Sequence, residues 1–362
     1  MLDRPRNASR SFGVYALDVG QGDATFILPP DEHAPILFDC RDDHVALRFV
    51  EDWKVRELWA VVVSHLDWDH VGGLETFLKE FSGPVHRVYL STDDPERPLR
   101  DSDPGARGAK ALLDYIVSEA QKGRWTLYGT TVPESPVASG GDWSVRLLAP
   151  RQELKLALAR DGGSTANNYS AVLRLELAGH AILIGGDAPL RTWASIPTKD
   201  LSARVFRVPH HGGAIDDGGR PEGWDVHRLY KEVGSEVAVV SVGTTNSYDH
   251  PHPSWIEPIS GGDACRLVCT QVTARCEPGV ARRDPSLVTL ALRSDHFAEP
   301  PWRHLSARGA PRRDRTEVPC AGTVVAELRD NGDLRVLPAR DGPHKRLVDG
   351  WKRPLCRPIL GE

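Results

Sequence analysis

Two histidines and two carboxylates stand within six residues of one another in this chain: His65, Asp67, Asp69 and His70, with Gly72 and Gly73 close behind. Imidazole nitrogens and carboxylate oxygens are the donors a divalent transition metal takes from a protein. Two-residue spacing lets His65 and Asp67 face one ion across a tight turn, while Asp69 and His70 reach a second. The run Leu58-Trp59-Ala60-Val61-Val62-Val63 directly before them is apolar and β-branched, the pattern of a buried strand. The donors therefore emerge at a strand exit, where α/β folds place their sites.

The theme returns downstream. A predicted strand at 181–184 runs into Gly185-Gly186-Asp187, and one at 204–208 into Pro209-His210-His211-Gly212-Gly213. A third, at 236–242, opens into a polar loop with Asn246, Tyr248, Asp249, His250 and His252. Asp187 is expected from the opposite sheet, where its carboxylate can bridge two ions, and His210 or His211 would complete the second site. Ions about 3.5–4 Å apart can hold a bridging hydroxide, lower its pKa towards ~7 and stabilise a phosphoryl transition state. His250 and His252 flank Pro251. One of them could protonate a leaving oxygen or touch a phosphate, or the pair could only stabilise the turn. Asn246 could orient substrate or hold the same turn. Asp69 is expected to be essential to catalysis as well as a ligand. Asp18 and Asp23 flank a glycine turn and are expected to support ligating histidines rather than bind metal.

The elements that must position these residues come in two blocks. Segments 12–19, 24–28 and 36–39 read as strands, the first two joined as a hairpin by Gly20-Gln21-Gly22-Asp23. Helical patterns come next at 45–53, 74–81 and 106–122, the last preceded by a loop at 93–104 rich in Asp, Pro and Arg. Further strands are expected at 143–148, 171–177, 181–184, 204–208 and 236–242. Two strand blocks separated by helices suggest two sheets packed face to face with helices outside, a layered α/β architecture. From 261 the chain turns rich in Cys, Arg and Pro, with short strands expected at 287–292 and 324–328. The expected organisation is a hydrolase domain over 1–260 and a Cys/Arg-rich, β-rich appendage over 261–362.

Composition narrows the classes. Among 362 residues, 40% are hydrophobic and 26% charged, as in ordinary globular proteins. A net charge of −5 leaves any nucleic-acid contact to local basic patches. Two such stretches, 303–315 and 345–357, carry Trp302 and Trp351. Basic residues interleaved with aromatics suit single-stranded nucleic acid, although a solvated arginine-rich surface gives the same pattern. No run approaches the ~18 consecutive apolar residues of a membrane helix, and residues 1–10 lack the apolar centre of a secretory signal. Six sparse cysteines fit a cytoplasmic chain with reduced thiols. Cys265 and Cys269, with Cys276 and Cys320, could bind a structural zinc, pack as buried thiols or form a disulfide.

The run His65-x-Asp67-x-Asp69-His70 resembles the H-x-[HD]-x-D-H signature of the metallo-β-lactamase superfamily. Asp18-Val19-Gly20-Gln21-Gly22-Asp23-Ala24 is similar to the N-terminal motif of the hydrolase domain in ComEC-type DNA-uptake proteins. Asn167-Asn168-Tyr169-Ser170, Gly186-Asp187-Ala188, Val208-Pro209-His210-His211-Gly212, and Ser241-Val242-Gly243 through His250-Pro251-His252 come in that family's order. The resemblance spans residues 12–260. It implies a four-layer αβ/βα sandwich and a metal-dependent hydrolase site, without the membrane channel of the uptake proteins.

Two departures bear on the metal. Asp67 stands where the usual motif has a second histidine, and Asn167 to Ser170 occupy the stretch where a third is usual. An oxygen-rich set favours Mn²⁺, with Zn²⁺ the alternative, as one or two ions. The expected activity is that of a phosphodiesterase or nuclease, with a metal-held hydroxide attacking the phosphorus of a nucleic acid or nucleotide. The alternatives are hydrolysis of a small ester, lactone or thioester at the same site, and a non-catalytic, metal-stabilised binding module.

Overall fold

Period-two alternation in the strands sorts their side chains onto two faces. In β3 (Ile36–Cys40) and β4 (Leu58–Val62), Ile36, Phe38, Ala60 and Val62 face the space between two sheets. Leu37 and Val61 point the other way, onto helices. The computed structural model describes residues 10–90, 104–161, 166–216, 221–260, 265–280, 317–339 and 343–356. The strand expected at 287–292, the basic stretch 303–315 with Trp302, and most of the loop at 93–104 lie outside them.

The first sheet contains eight strands. At its centre are β1 (Ser11–Ala16), β2 (Ala24–Leu28), β3 and β4, followed by β5 (Val85–Leu90) and β6 (Thr126–Gly129). Pairing is parallel from β3 to β6. Parallel neighbours need crossovers. Three helices make them on one face: α1 (Asp43–Asp52), α3 (Leu74–Glu80) and α4 (Pro104–Gln121), with the short α2 (Trp68–Val71) between. Asp42 caps α1 by accepting from the Val45 N–H at 3.1 Å. Phe49, Phe77, Leu112 and Ile116 pack these helices onto the sheet.

The second sheet runs from β7 (Ala138–Gly140) through β8 (Trp143–Ala149), β9 (Val172–Leu177), β10 (His180–Gly185), β11 (Val205–Arg207) and β12 (Val237–Val240) to β13 (Arg266–Cys269). Pairing from β10 to β13 is again parallel. After β8 comes α5 (Gln152–Asp161), and the crossovers beyond β10 carry α6 (Leu190–Ala194), α7 (Val226–Val233) and α8 (Pro253–Ser260). Leu183, Phe206, Ala238 and Val240 face those helices, while Ile182, Ile184, Val205 and Val239 face the first sheet. The result is the αβ/βα sandwich.

Residues after 260 are woven into both sheets. They add β13 to the second, and β14 (Val324–Arg329) and β15 (Leu334–Leu337) to the first. β14 pairs with all of β1, from Ser11 opposite Arg329 to Ala16 opposite Val324. Among the described residues no helix is long and apolar enough to cross a membrane.

The inner faces hold the sandwich shut. Phe38, Ala60 and Val62 have no solvent exposure. Burying Phe38 or Val62 contributes about 1.5–3 kcal/mol each relative to leaving it in water. A charge at Val62 would break the layer, because the side chain is buried within an apolar cluster. The register Phe38 opposite Val62 puts the exits of β3 and β4 side by side. Ile184 opposite Arg207, and Arg207 opposite Val239, do the same for β10 to β12. Where the two rows of exits meet, Gly186 is required: a Cβ there would lie 2.6 Å from the Ser64 side chain. The Ala171 N–H donates to the Ser64 carbonyl at 3.0 Å across the same seam.

Candidate metal centre

His65, Asp67, Asp69 and His70 leave the first sheet after β4, and Asp187, His210 and His211 leave the second after β10 and β11. They meet around the Asp187 carboxylate. Oδ1 of Asp187 lies 3.0 Å from His70 Nε2 and 3.8 Å from His211 Nε2. Oδ2 lies 3.7 Å from His65 Nε2 and 3.6 Å from His210 Nε2. Asp69 Oδ2 stands 3.3 Å from His211 Nε2, and Asp67 Oδ2 stands 3.5 Å from His65 Nε2.

All four imidazoles present the same nitrogen to this centre. The carbonyls of Ala214 and Ser241 can only accept, and they lie 2.7 and 3.0 Å from Nδ1 of His210 and His211. Nδ1 therefore carries a proton in both rings, and Nε2 is the nitrogen left to face a metal. His70 Nδ1 is 2.8 Å from Asp39 Oδ2, and His65 Nδ1 is 3.0 Å from Ser64 Oγ. Ser64 in turn donates from its N–H and its hydroxyl to the two oxygens of Asp39, both at 2.7 Å. Such outer partners fix the tautomer and aim of metal-binding histidines.

The backbone is bent to achieve this. Asp39, His210 and His211 have φ of 57°, 55° and 53°, in the left-handed region. Each such residue costs on the order of 1–3 kcal/mol, and such residues cluster at functional sites. Hydrogen bonds over-determine the turns: the His210 N–H donates to the Gly186 carbonyl at 3.1 Å. Gly22 (φ 140°) lets two loops touch, since a Cβ there would meet the Asp69 carbonyl oxygen at 2.4 Å. The Asp23 N–H then donates to that oxygen at 2.8 Å.

Donors bound at about 2.0–2.2 Å to a tetrahedral ion lie roughly 3.3–3.6 Å apart, close to the separations here. The donors of Asp69, His70, Asp187 and His211 all lie within 4.8 Å of one another. Nε2 of His65, His70 and His211 and Oδ1 of Asp187 are buried with no hydrogen-bond partner. Leaving such atoms unpaired costs about 1–3 kcal/mol each. Divalent ions would satisfy them together, so the residues fit the metal their chemistry calls for.

The charged groups of the cluster act on one another through the same contacts. Burial pushes the His211 imidazole down, but Asp23 and Asp187 outweigh it and raise its pKa to about 10. His70 moves the same way, with Asp187 and Asp39 overcoming burial. Burial alone would raise the carboxyls of Asp187 and Asp69, yet the neighbouring histidines hold both below the usual carboxylate range. Asp23 is held down against burial by Arg207 and His211.

Sequence reasoning did not single out Asp39, Ser64, Arg207 or Ser241. Arg207 is 3% exposed, pairs with Asp23, and donates to Ser241 Oγ at 2.7 Å beneath His211. Asp39 carried the one available signal, a carboxylate at the exit of a predicted strand. Asp18 lies farther off, accepting from Gln271 Nε2 at 2.7 Å. Asn167–Tyr169 form a buried turn that seats the bridging loop: Ser170 Oγ accepts from the Asp187 N–H at 3.2 Å.

The last loop divides. His250 packs beside the centre, its ring 5.6 Å from His210 and 6.4 Å from His211. Burial and those two histidines lower its pKa to about 4. Asn246 spends its amide on the turn, donating to the His250 carbonyl and accepting from the N–H groups of Tyr248 and His250. His252 is exposed and engages Ser254 at the start of α8, outside the cluster.

A profile of the metallo-beta-lactamase superfamily matches residues 17–188. The chain carries a domain of that superfamily. ComE operon protein 3 of Bacillus subtilis (strain 168) is 23% identical over 260 residues, 66% of this chain and 29% of that protein. Recombination protein 2 of Haemophilus influenzae is 24% identical over 256 residues, 67% of this chain and 26% of that one. The chain thus spans less than a third of either relative. Among solved structures, the metallo-beta-lactamase fold protein YhfI from Bacillus subtilis is 12% identical, with a TM-score of 0.38 over 63% of this chain and 85% of its own. Igni18, a metallo hydrolase from Ignicoccus hospitalis, is also 12% identical, with a TM-score of 0.40 over 72% and 94%. The His and Asp donors of this site could hold a divalent ion.

Proposed function

We propose that the chain is a two-ion phosphodiesterase acting on nucleic acid or nucleotides. The observation that carries the reading is the division of Asp187: each carboxylate oxygen faces its own pair of imidazoles. His65, Asp67, His210 and Oδ2 would hold one ion, and Asp69, His70, His211 and Oδ1 the other. His210 then serves the side on which the usual third histidine is missing. Two ions so held would acidify a water and neutralise charge on a phosphoryl group. Asp187 holds the two sites at a fixed separation. Asp39, Ser64 and Ser241 keep the Nε2 lone pairs aimed inward. His250, neutral at physiological pH, is suited to accept a hydrogen bond from a bound substrate.

The rim favours an extended polymer over a small ester. Side chains of Asp67, Asp69 and His210 are 28%, 31% and 24% exposed, so the centre opens to solvent. Tyr248, stacked on His250 beside the centre, and Trp68, between the two aspartates in sequence, are exposed aromatics. Flat rings beside a phosphate site suit stacked bases. The name of the Haemophilus relative, Recombination protein 2, points the same way. Oxygen donors favour Mn²⁺ at least as much as Zn²⁺.

The test is turnover of single-stranded DNA, duplex DNA, RNA and bis-p-nitrophenyl phosphate with Mn²⁺, with Zn²⁺ and with chelator. Metal-dependent cleavage of at least one phosphodiester is expected. Asp69→Ala should lose nearly all turnover while its circular dichroism stays that of the parent. Hydrolysis of lactones or thioesters with none of any phosphodiester would overturn the reading.

A further inference from the structure

On the far side of the second sheet, Cys269, Cys276, Cys320, Cys356 and His344 gather from distant parts of the chain. Cys269 ends β13, and Cys276 lies in the turns after it. Cys320 precedes β14, His344 stands in the first turn of α9 (Pro343–Asp349), and Cys356 comes after that helix. All five are at most 3% exposed. The sequence grouping of Cys265, Cys269, Cys276 and Cys320 differs in its members. Cys265 Sγ stands apart, 3.7 Å from Ser235 Oγ, while Cys356 and His344 join the group.

The spacing is that of a tetrahedral coordination shell. Cys320 Sγ is 3.7 Å from Cys356 Sγ and 3.5 Å from His344 Nε2. The donors of Cys320, His344 and Cys356 all lie within 4.8 Å of one another. With zinc–sulfur bonds of about 2.3 Å and zinc–nitrogen bonds of about 2.0–2.1 Å, tetrahedral edges come to roughly 3.8 Å between sulfurs and 3.5 Å between sulfur and nitrogen. A disulfide would need sulfurs at about 2.05 Å. The Cys269 backbone N–H donates to Cys356 Sγ at 3.1 Å. An N–H aimed at sulfur is the kind of outer contact that steadies a metal-bound thiolate. Apolar packing alone gives no reason to place an imidazole nitrogen among buried sulfurs.

We propose that Cys320, His344 and Cys356, with Cys269 or Cys276 at the fourth corner, hold a structural zinc ion. As three zinc–sulfur bonds form, three thiol protons leave to solvent, and neutral His344 donates its Nε2 lone pair. Four protein donors leave no open position, so the ion does not take part in hydrolysis. It ties α9 and the tail to the edge of the second sheet. Backbone bonds already mark that path: Cys320 N–H to the Thr270 carbonyl at 2.9 Å and Arg353 N–H to the Cys276 carbonyl at 2.8 Å.

The experiment is Co²⁺ loading of the reduced full chain, because the His/Asp centre has no sulfur donor and cannot produce a thiolate-to-cobalt charge-transfer band. That band is expected in the parent chain, kept in Cys265→Ser, and lost with one equivalent of metal in Cys356→Ser. X-ray absorption of the zinc-loaded parent needs no variant and should find zinc–sulfur bonds of about 2.3 Å. An all-nitrogen-and-oxygen zinc shell, or a parent chain with no thiolate band, would overturn the site. Six free thiols with no bound zinc would mean buried cysteines, and four would mean a disulfide; both count against it.

Discussion

His70 donates from Nδ1 to Asp39 Oδ2 at 2.8 Å, while its Nε2 faces Asp187 Oδ1 at 3.0 Å, so one ring links the floor of the first sheet to the carboxylate of the second. Asp39 also takes both Ser64 donors, and Ser64 holds His65. One carboxylate therefore aims two of the four imidazoles. Asp39→Asn keeps the shape, and asparagine tolerates the left-handed backbone at this position. The expected result is a folded protein with metal affinity about 10- to 100-fold weaker, the usual effect of removing such a support. Calorimetric titration with Mn²⁺ or Zn²⁺ measures it. Parental affinity would mean that Asp39 serves the fold and not the centre.

The two oxygens of Asp187 make a prediction about stoichiometry. His211→Ala should remove the ion on the Oδ1 side and His210→Ala should weaken the ion on the Oδ2 side, each leaving one tightly bound equivalent at this centre. Asp187→Ala should lower both. Metal content after gel filtration separates the cases, with the cysteine site silenced by Cys356→Ser in the same background. If His210→Ala keeps two equivalents at parental affinity, its ring belongs to substrate and not to metal.

Proton release should accompany loading. His211, with a pKa raised to about 10, and His70, raised well above its ordinary value, are charged at neutral pH without metal. Their folded pKa values lie above the unfolded value of about 6.5. The ion pairs therefore stabilise the metal-free protein fully below about 6.5, and that contribution fades as pH rises through about 10. A metal needs the neutral rings, so binding expels one to two protons near pH 7.5. Affinity should then climb with pH, by up to about tenfold per unit for each proton released. Calorimetry in buffers of different ionisation enthalpy counts the protons. A heat independent of buffer would mean that the rings are already neutral.

Much of this was legible in the chain because strand exits repeat one local pattern. The alternation at Ile36 to Phe38 and the run at 58–63 identify buried strands, and the segment after each strand is short and polar. Partners distant in sequence were not legible. Asp39 meets His70 across 31 residues, and Cys356 meets Cys269 across 87, separations that no spacing rule reaches. Arg207 reads as one polar residue in a strand until the register places Asp23 beside it. Strands as short as β7 and β13 have too few residues for a period to be seen. The destinations of residues 261–362 were hidden too, since β14 finds β1 only in three dimensions.

The exposed aromatics give the sharpest test of substrate class. Trp68 is 49% exposed and Tyr248 69%, and neither donates to the metal centre. Arg41 sits 5.6 Å from the Trp68 ring, and Gly72 and Gly108 lie close against it, so only its uncovered half is open to a base. Base stacking on such a ring contributes about 1–3 kcal/mol, so Trp68→Ala or Tyr248→Ala should raise KM for single-stranded DNA roughly 5- to 100-fold. Cleavage of an abasic single strand, which keeps the phosphodiesters and lacks the bases, should change less than about twofold by the same reasoning. The ratio of the two effects is the measurement. Equal losses on both substrates would mean that Trp68 merely braces Asp67 and Asp69, and the case for a nucleic-acid substrate would lose its structural support at the rim.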